Sequence, residues 1–297
     1  MRVEEPGPER YDDLVDLSVA RMPKVGRPLF TWQFEAPEAF PWIVRRMAVD
    51  DDGRLLGWGF VTHRAADPEG WFMANVTVDA AAEGSGAGSA LAAALRAELP
   101  ADVVRISART TADEVRSLEI AAHWGLLVQQ RSISSRLPLV DLPEPAPPPG
   151  VTIEDASDLA FSDEAAVETM LRASLTNPEA RAGQVITLAG QRVVAAAAEH
   201  WLTALVRVNG APAAICTGDL DMESRTLFIG YTGVDPVFRG RGLARLAKQW
   251  MHRAGADRGA TVAQTTNAEH NAGIRALNAE LGYEVDLAWV WLYRARD

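Results

Sequence analysis

The stretch VDPVFRGRGLA, from Val234 to Ala244, decides the fold of the second half of this chain. It follows a predicted strand, Thr226 to Val234, and it opens a predicted helix that begins at Leu243. A helix N-terminus presents unpaired backbone N–H groups and the positive end of its dipole, and glycines let the backbone approach an anion closely. The order of strand, glycine turn and helix therefore predicts a site for a ligand that carries a diphosphate.

A weaker copy of this stretch lies 156 residues earlier, where Val78 to Gly88 reads VDAAAEGSGAG. The two segments share a Val-Asp pair and two glycines, which are Gly84 and Gly86 in the first copy. Each segment follows a strand-like run and precedes a helix rich in Ala and Leu, and each half later has a helix that ends in a glycine. This shared order predicts an internal duplication.

A proline-rich stretch separates the two copies. Residues 138–150 read PLVDLPEPAPPPG, with six prolines in thirteen residues, and such a run favours extended polyproline II over helix or sheet. We predict an N-terminal domain over residues 1–140, a linker over 141–150 and a C-terminal domain over 151–297. A proline-rich surface loop within a single domain is the alternative.

Strand and helix patterns alternate in both halves. In the second half, a helical region over 162–200 is broken near Asn177-Pro178, and Asn209-Gly210 predicts a hairpin between strands over 202–208 and 212–218. The remaining predicted strands are 43–49, 55–63, 71–78, 102–109, 127–137, 226–234, 261–266 and 288–294, and the remaining helices are 87–99, 113–124, 243–254 and 271–281. This mixture predicts an α/β fold with a mixed sheet and helices on its faces.

Composition limits the class of partner. The chain has 297 residues, 48% of them hydrophobic, and a net charge of −11, which fits a soluble globular protein and argues against a nucleic-acid partner. Its single cysteine, Cys216, favours a reducing compartment. The sequence shows no membrane-length apolar run, no secretion signal and no metal-ligand spacing of histidines. We therefore expect a cytoplasmic protein with no membrane partner and no metal.

The second half resembles the GCN5-related N-acetyltransferase (GNAT) superfamily. The family signature is Gln or Arg, two residues, Gly, one residue, then Gly or Ala, and it is followed by an asparagine-bearing segment and an LGF helix ending. The matching residues are Arg239, Gly242, Ala244, Asn267, Asn271 and Leu281 to Tyr283. With its weaker first half, the chain resembles a tandem GNAT protein of the mycothiol-synthase-like type. The resemblance implies two tandem GNAT folds, each a central mixed β-sheet flanked by helices.

The resemblance also implies an acyl-CoA site, in which pantetheine lies between two strands that splay apart. Acetyl-CoA is the expected co-substrate, with another acyl-CoA or an acyl-phosphopantetheine as the alternative. The cofactor contacts it implies are Gly233, Val234, Arg239, Gly240, Arg241, Gly242, Leu243, Ala244, Asn267 and Asn271. Backbone N–H groups of residues 240–244 would hold the pyrophosphate, and Thr232 would line the acyl group. The alternative for Asn271 is a helix N-cap and nothing more.

The implied reaction is direct attack of an amine on the thioester. Many relatives have a tyrosine four residues before the glycine of LGF as the acid, but this chain has Asn278. Because an amide cannot release a proton at neutral pH, either Asn278 only hydrogen-bonds near the sulfur, or a water or another group supplies the proton. The catalytic candidates are Asn278, Thr232 and His200. The base remains open among His200, Glu199, Asp219, Asp221 and Glu223.

The first half is expected to shape the structure or the acceptor site. Glu83 stands where the second half has Arg239, so its charge would oppose a pyrophosphate. The glycines Gly84, Gly86 and Gly88 still form a nest of N–H groups, which leaves residual binding open.

We therefore expect an acetyl-CoA-dependent N-acetyltransferase that acts on a primary amine of a small metabolite, with its active site in the C-terminal domain. One alternative takes a larger acyl group from an acyl-CoA or an acyl carrier protein. That protein would dock on a basic surface formed by Arg239, Arg241, Arg245 and Lys248. The other alternative is a non-enzymatic acyl-CoA-binding or structural protein.

Overall fold

The computed structural model describes the chain except residues 24, 26, 36, 66, 158–163, 177–194, 197, 199 and 296–297. The chain divides into two compact units, the first formed by Met1–Gln129 with Val290–Asp297 and the second by Gln130–Trp289. The predicted helix break at Asn177-Pro178 and the candidate base Glu199 lie outside the described residues.

The first unit is a mixed sheet with helices. Its strands are β1 (Arg2–Glu4), β2 (Trp42–Val49), β3 (Leu55–His63), β4 (Trp71–Val78) and β5 (Arg105–Thr111), and its helices are α1 (Tyr11–Arg21), α2 (Arg27–Glu35), α3 (Ala87–Ala97) and α4 (Val115–His123). Strands β1 to β4 pair antiparallel in order, and β4 pairs parallel with β5. The last strand of the chain, β12 (Glu284–Ala295), lies beside β5 and belongs to this unit from Val290 onward.

The second unit repeats this arrangement. It contains β6 (Leu127–Pro138), β7 (Val151–Asp155), α5 (Glu164–Ser174), β8 (Trp201–Val208), β9 (Ala211–Asp221), β10 (Thr226–Val234), α6 (Leu243–Asp257), β11 (Val262–Ala268) and α7 (Ala272–Glu280). Strands β7 to β10 pair antiparallel in order, β10 pairs parallel with β11, and β11 pairs antiparallel with β6. The predicted mixed α/β fold is confirmed.

The hairpin predicted at Asn209-Gly210 joins β8 and β9. Both residues have positive φ, +49° and +81°, as a type I′ turn requires. This turn sets the register between β8 and β9.

The two compact units do not follow a single cut through the chain. Residues 132–138 of β6 pair with β11 and therefore belong to the second unit, whereas the chain after Val290 belongs to the first. The domain boundaries at residues 140 and 150 stay a prediction, and they differ from the boundaries of these units.

Helix α6 is held on its sheet by an apolar stripe. Leu243, Ala247 and Met251 recur at a spacing of four residues and are 2%, 0% and 0% exposed. They join a core cluster that includes Ala204 of β8 and Leu227 of β10. Burial of this stripe fixes the N-terminus of α6 at the end of β10.

Candidate functional site

The glycine turn of the second unit is an open backbone nest. Gly240 and Gly242 have φ of +75° and +74°, the left-handed region that favours glycine, and Gly242 is the N-cap of α6. A Cβ at either position would meet no atom within 4 Å, so space lies over the turn. Leu243 is buried and can offer only its backbone N–H to a ligand.

A gap opens between the two parallel strands next to this turn. Strand β10 pairs with β11 only from Thr226 to Ile229, and a β-bulge between Ile229 and Tyr231 shifts its register with β9. The pairing of β10 with β11 ends at Ile229, whereas its pairing with β9 continues to Val234. A Cβ at Gly233 would lie 2.5 Å from the Tyr231 hydroxyl, so this position requires glycine. Bulges of this kind often adjoin active sites.

Two exposed arginines border the turn. The Arg239 Nε donates to the Val234 carbonyl at 3.2 Å, and its Nη2 donates to the Thr176 hydroxyl at 2.5 Å. The Arg241 guanidinium lies 5.4 Å from the centre of the Phe238 ring. Both side chains place positive charge at the mouth of the nest.

The first unit contains a cavity of about 440 Å³ at its own glycine turn. Strand β4 pairs with β5 only from Trp71 to Met73, and the cavity lies where the two strands have separated. Its lining includes Asn75, Gly86, Ala108, Arg109, Ala121 and Trp124. Burial, and then the charge of Arg64, lower the pKa of Arg109 to about 10.

The first glycine turn has the same backbone shape as the second. Gly84 and Gly86 have φ of +77° and +88°, and Gly86 is the N-cap of α3. The expected repulsion by Glu83 needs correction, because Glu83 accepts a hydrogen bond from Arg21 at 2.7 Å and its charge is compensated. This unit is thus a better candidate for anion binding than its sequence indicates.

Two regions of the chain match one known family. The model of the "Acetyltransferase (GNAT) family" matches residues 10–125 and 166–283, which together make up well over half of the sequence. The chain belongs to the GNAT family. The predicted resemblance is confirmed, and the match extends to the first half, which carries the weaker copy of the motif.

Solved structures show the same tandem fold. A GCN5-related N-acetyltransferase from Sphaerobacter thermophilus is 18% identical with a TM-score of 0.78, over 99% of this chain and 95% of that one. A tandem GNAT protein from the clavulanic acid biosynthesis pathway, without acetyl-CoA, is 19% identical with a TM-score of 0.71, over 99% and 98%. A GCN5-related N-acetyltransferase from Kribbella flavida is 22% identical with a TM-score of 0.56, over 82% and 89%. A search of curated proteins finds no match.

The family establishes the class of chemistry. GNAT proteins transfer an acyl group from acyl-CoA, so the chain is a GNAT acyltransferase by family, with two tandem GNAT folds. The acceptor, the acyl group and the unit that holds the donor are separate questions, which depend on the side chains of each half.

Behind the gap of the second GNAT unit lies a buried polar network. Asn278 is 4% exposed, its Oδ1 accepts from the Lys248 ammonium at 2.6 Å, and its Nδ2 donates to Asn267 Oδ1 at 2.8 Å. The His252 Nε2 lies 2.7 Å from the Tyr283 hydroxyl. The structure thus brings the predicted site residues Asn267 and Asn278 together.

The electrostatics of this network follow from burial. Burial lowers the pKa of Lys248 from 10.5 to about 8, and burial, then the Lys248 charge, lower the pKa of His252 to about 3. Burial raises the pKa of Tyr283 and of Cys216. Near neutral pH, Lys248 is therefore the charged member of this group.

The carrier-protein alternative expected Lys248 to form part of a basic surface. The structure contradicts this expectation. The Lys248 side chain is fully buried, because position 248 falls beside the stripe that carries Ala247 and Met251. The burial of Lys248 was not predicted from the sequence. The place of Lys248 between two apolar core positions of α6 could have indicated this. His252, one turn further along α6, was missed for the same reason.

Other predicted site residues occupy different places. Asn271 is the N-cap of α7, and its Oδ1 accepts from Ile274 N at 3.5 Å. Thr232 lies on β10 beyond the bulge, with its hydroxyl 3.3 Å from Cys216 Sγ. His200 immediately precedes β8, and its backbone N–H donates to Asp219 Oδ1 at 3.3 Å.

The candidate bases differ in their surroundings. Asp219 pairs with Phe228 at the edge of the bulge and accepts from His200 N at 3.3 Å, and burial raises its pKa. Asp221 instead closes a turn by accepting from Glu223 N and from the Ser224 hydroxyl. Asp219 is therefore the candidate that lies next to the bulge, and the base stays a prediction.

Two further searches concern only the described part of the chain. Within it, no group of three or more His, Cys, Asp or Glu side chains could hold a metal ion. Nor does that part contain a helix both long and apolar enough to cross a membrane. The cytoplasmic location stays a prediction.

Proposed function

We propose that this chain is an acetyl-CoA-dependent N-acetyltransferase that acts on a primary amine of a small metabolite, with its donor site in the second unit. The observation that carries the proposal is the open nest at Gly240 and Gly242, flanked by exposed arginines and adjoining the gap after Ile229. A diphosphate on the nest and an extended thiol arm in the gap match the two halves of coenzyme A.

The donor would be held mainly by backbone groups. N–H groups of residues 240–244 would bind the pyrophosphate at the N-terminus of α6, where the helix dipole favours negative charge. The pantetheine amides would bond to the backbone of β10 beyond the bulge, as an added strand would. Gly233 and Val234 would contact the arm through their main chain, which explains why their side chains are small or face elsewhere.

The reaction would proceed without a covalent enzyme intermediate. The amine nitrogen forms a C–N bond to the acetyl carbonyl carbon, and an N–H group of β10 near Thr232 stabilises the oxyanion. The C–S bond then breaks with its electron pair on sulfur. The proton lost by the amine passes to Asp219 directly or through water, and solvent returns a proton to the thiolate.

Asp219 is the proposed base because burial raises its pKa, which favours proton acceptance near neutral pH. It pairs with Phe228 on the β9 side of β10, next to the bulge, so it lies at the level along β10 at which the gap begins rather than at the nest. The acyl group of a donor laid along β10 would end near the bulge, at the level of Asp219.

A donor with a larger acyl group, from acyl-CoA or an acyl carrier protein, would use the same gap. Of the residues expected to form a basic docking surface for a carrier protein, Arg239 and Arg241 are exposed. Their exposure supports this alternative. The remaining alternative is a protein that binds acyl-CoA without catalysis. Such a protein would bind the donor but release no thiol from it.

The cavity of the first unit supports a second candidate site for the acyl donor. It lies between β4 and β5 beside the nest of Gly84 and Gly86, and Arg21 compensates Glu83 at its edge. An acyl donor bound there would put the acetyl group in the first unit instead of the second.

The proposal is tested by thiol release from acetyl-CoA with a panel of small primary amines. We expect turnover with at least one amine, and a loss of at least about tenfold in kcat/KM in Arg239→Glu, because a carboxylate then faces the pyrophosphate. The control is Arg207→Glu, which changes the same charge on β8, where Arg207 pairs with Glu154. Equal activity of the Arg239 and Arg207 variants would place the donor elsewhere.

A further inference from the structure

Lys248 is a buried cation that the proposed reaction does not yet use. Its side chain is 0% exposed, and no carboxylate of the described residues pairs with it. Its Nζ donates to Asn278 Oδ1 at 2.6 Å and lies 4.8 Å from the centre of the Tyr283 ring. Burial of an ammonium group without a counter-ion is costly, so its retention calls for a role that an apolar residue could not fill.

The ammonium fixes which end of the Asn278 amide faces it. A lysine side chain has only donors, so the amide must turn its oxygen to Lys248 and its NH₂ group away. That NH₂ group donates one N–H to Asn267 Oδ1 at 2.8 Å. Its second N–H has no partner among the described residues, although Asn278 is 4% exposed.

This free N–H belongs to residues that border the gap. Asn267 lies on β11 beyond Thr265, the last residue of β11 that pairs with β10. On the β10 side, the Thr232 hydroxyl lies 3.3 Å from Cys216 Sγ, and the charge of Lys248 acts on the same Cys216. The network thus reaches both strands between which the thiol arm is proposed to lie.

We propose that Lys248 is a positioning residue, whose ammonium holds the Asn278 amide with its free N–H directed at the sulfur of the acyl donor. This inference rests on the donor site proposed in the second unit. As the C–S bond breaks, the N–H bonds to the thiolate that keeps the electron pair, and the nearby positive charge strengthens that bond. Asn278 thereby stabilises the leaving group without releasing a proton itself.

The effect of this hydrogen bond can be measured on bound coenzyme A, without an acyl group or an acceptor. A thiol that receives this hydrogen bond ionises more easily, so the pKa of the bound CoA thiol is lowered relative to free CoA. The titratable groups that face Lys248 are Cys216 of β9, His252 of α6 and Tyr283 after α7. His252 stays neutral above about pH 3, and burial keeps the other two protonated near neutrality, so Lys248 dominates.

The experiment is a pH titration of thiolate ultraviolet absorbance for CoA bound to the protein, after subtraction of the free protein. In the wild type we expect the thiol pKa to fall by at least about one unit, a tenfold gain in ionisation. Lys248→Met and Asn278→Leu should abolish this shift, while CoA affinity below the thiol pKa stays within about threefold. Asn278→Asp, which keeps a partner for Lys248, should reverse the shift by placing a carboxylate at the sulfur.

His252→Gln is the matched control, since it changes another buried polar side chain of α6 that faces Tyr283 instead of Asn278. It should retain the wild-type shift. A Lys248→Met protein that binds CoA and shows the wild-type thiol pKa overturns the inference. A different failure, CoA binding that is unchanged by Arg239→Glu, overturns the proposed donor site instead.

Discussion

The two glycine turns have nearly the same backbone, but the side chains behind them differ. Lys248 lies six residues after Gly242, and Ala92 holds that place after Gly86. Asn278 lies four residues before Gly282, and Ala121 holds that place before Gly125. In the second unit these positions form the Lys248–Asn278 network, whereas in the first unit Ala121 lines a cavity of about 440 Å³.

This difference in side chains shows that the backbone of the duplicated turns and the polar groups near them depend on different residues. Both turns keep the positive φ of their glycines, so both present N–H groups at a helix N-terminus. Small side chains leave room in the first unit, and long polar ones organise hydrogen bonds in the second. The first unit has a cavity beside its turn, and the second has a buried hydrogen-bond network.

The largest expected effect concerns the proposed base. Asp219→Asn should lower kcat about 100-fold or more with little change in the KM for acetyl-CoA, because only proton removal is lost. Burial raises the pKa of Asp219, so wild-type activity should fall as pH drops through that raised pKa. The pH profile of kcat checks both points.

His63 lies at the same offset of 156 residues in the first half and provides the control. His63→Gln should leave kcat within about twofold. A collapse of activity in this variant, with Asp219→Asn unaffected, would move the chemistry to the first unit.

The buried lysine predicts a pH dependence of stability that the alanine-lined first unit does not share. Between pH 8 and 10.5 the unfolded chain keeps the Lys248 proton and the folded chain loses it, so stability should rise with pH. Relative to Lys248→Met, the wild type should gain about 3 kcal/mol in unfolding free energy across this range. Urea unfolding at a series of pH values measures it, and parallel curves would contradict the burial of a charged Lys248.

A smaller effect is expected on the free energy of unfolding when the aspartates that precede the two turns are replaced. Asp235 is buried, accepts from Val237 N at 3.1 Å and forms an ion pair with Arg172, whereas Asp79 accepts from Ala81 N at 2.9 Å. Asp235→Ala should cost about 2 kcal/mol of unfolding free energy and Asp79→Ala about 1 kcal/mol. Equal costs, measured by urea unfolding, would mean that the ion pair adds nothing.

The smallest effect tests the charge at the first turn. Glu83→Arg removes an acid whose exposed ion pair with Arg21 already compensates it, so CoA affinity of the first unit should rise by about tenfold at most. Calorimetric stoichiometry should therefore stay at the wild-type value. A rise from one bound CoA to two would mean that Glu83, despite its ion pair, is the obstacle to binding in the first unit.

Periodicity and turn chemistry were enough to predict most elements. The strands 55–63, 71–78 and 226–234 have their predicted bounds, because each is a run rich in apolar, aromatic and β-branched residues with turn residues on both sides. Helices α1 and α2 were missed, since acids interrupt the apolar residues of α1 and Pro28 follows the first residue of α2. Strand β6 is predicted to within one residue, whereas β12 begins four residues before its predicted start at residue 288. A linear sequence does not carry the information on which unit each of these strands joins.

For the site, the sequence pointed to Gly240, Gly242 and Asn278, because glycine spacing and the helix ending are local. It did not reveal that Arg21 compensates Glu83 across 62 residues of chain, or that Lys248 is buried. Both depend on tertiary packing. His200 was chosen for its chemistry alone, and the structure shows that it is exposed, immediately precedes β8 and donates its backbone N–H to Asp219.

The most direct test of the account is calorimetric titration of acetyl-CoA into the wild type and two charge-reversed variants, Arg239→Glu at the second turn and Arg21→Glu at the first. A donor site in the second unit predicts that Arg239→Glu removes the binding heat and that Arg21→Glu keeps the wild-type Kd within about threefold. Loss of binding in Arg21→Glu with full binding in Arg239→Glu would contradict it.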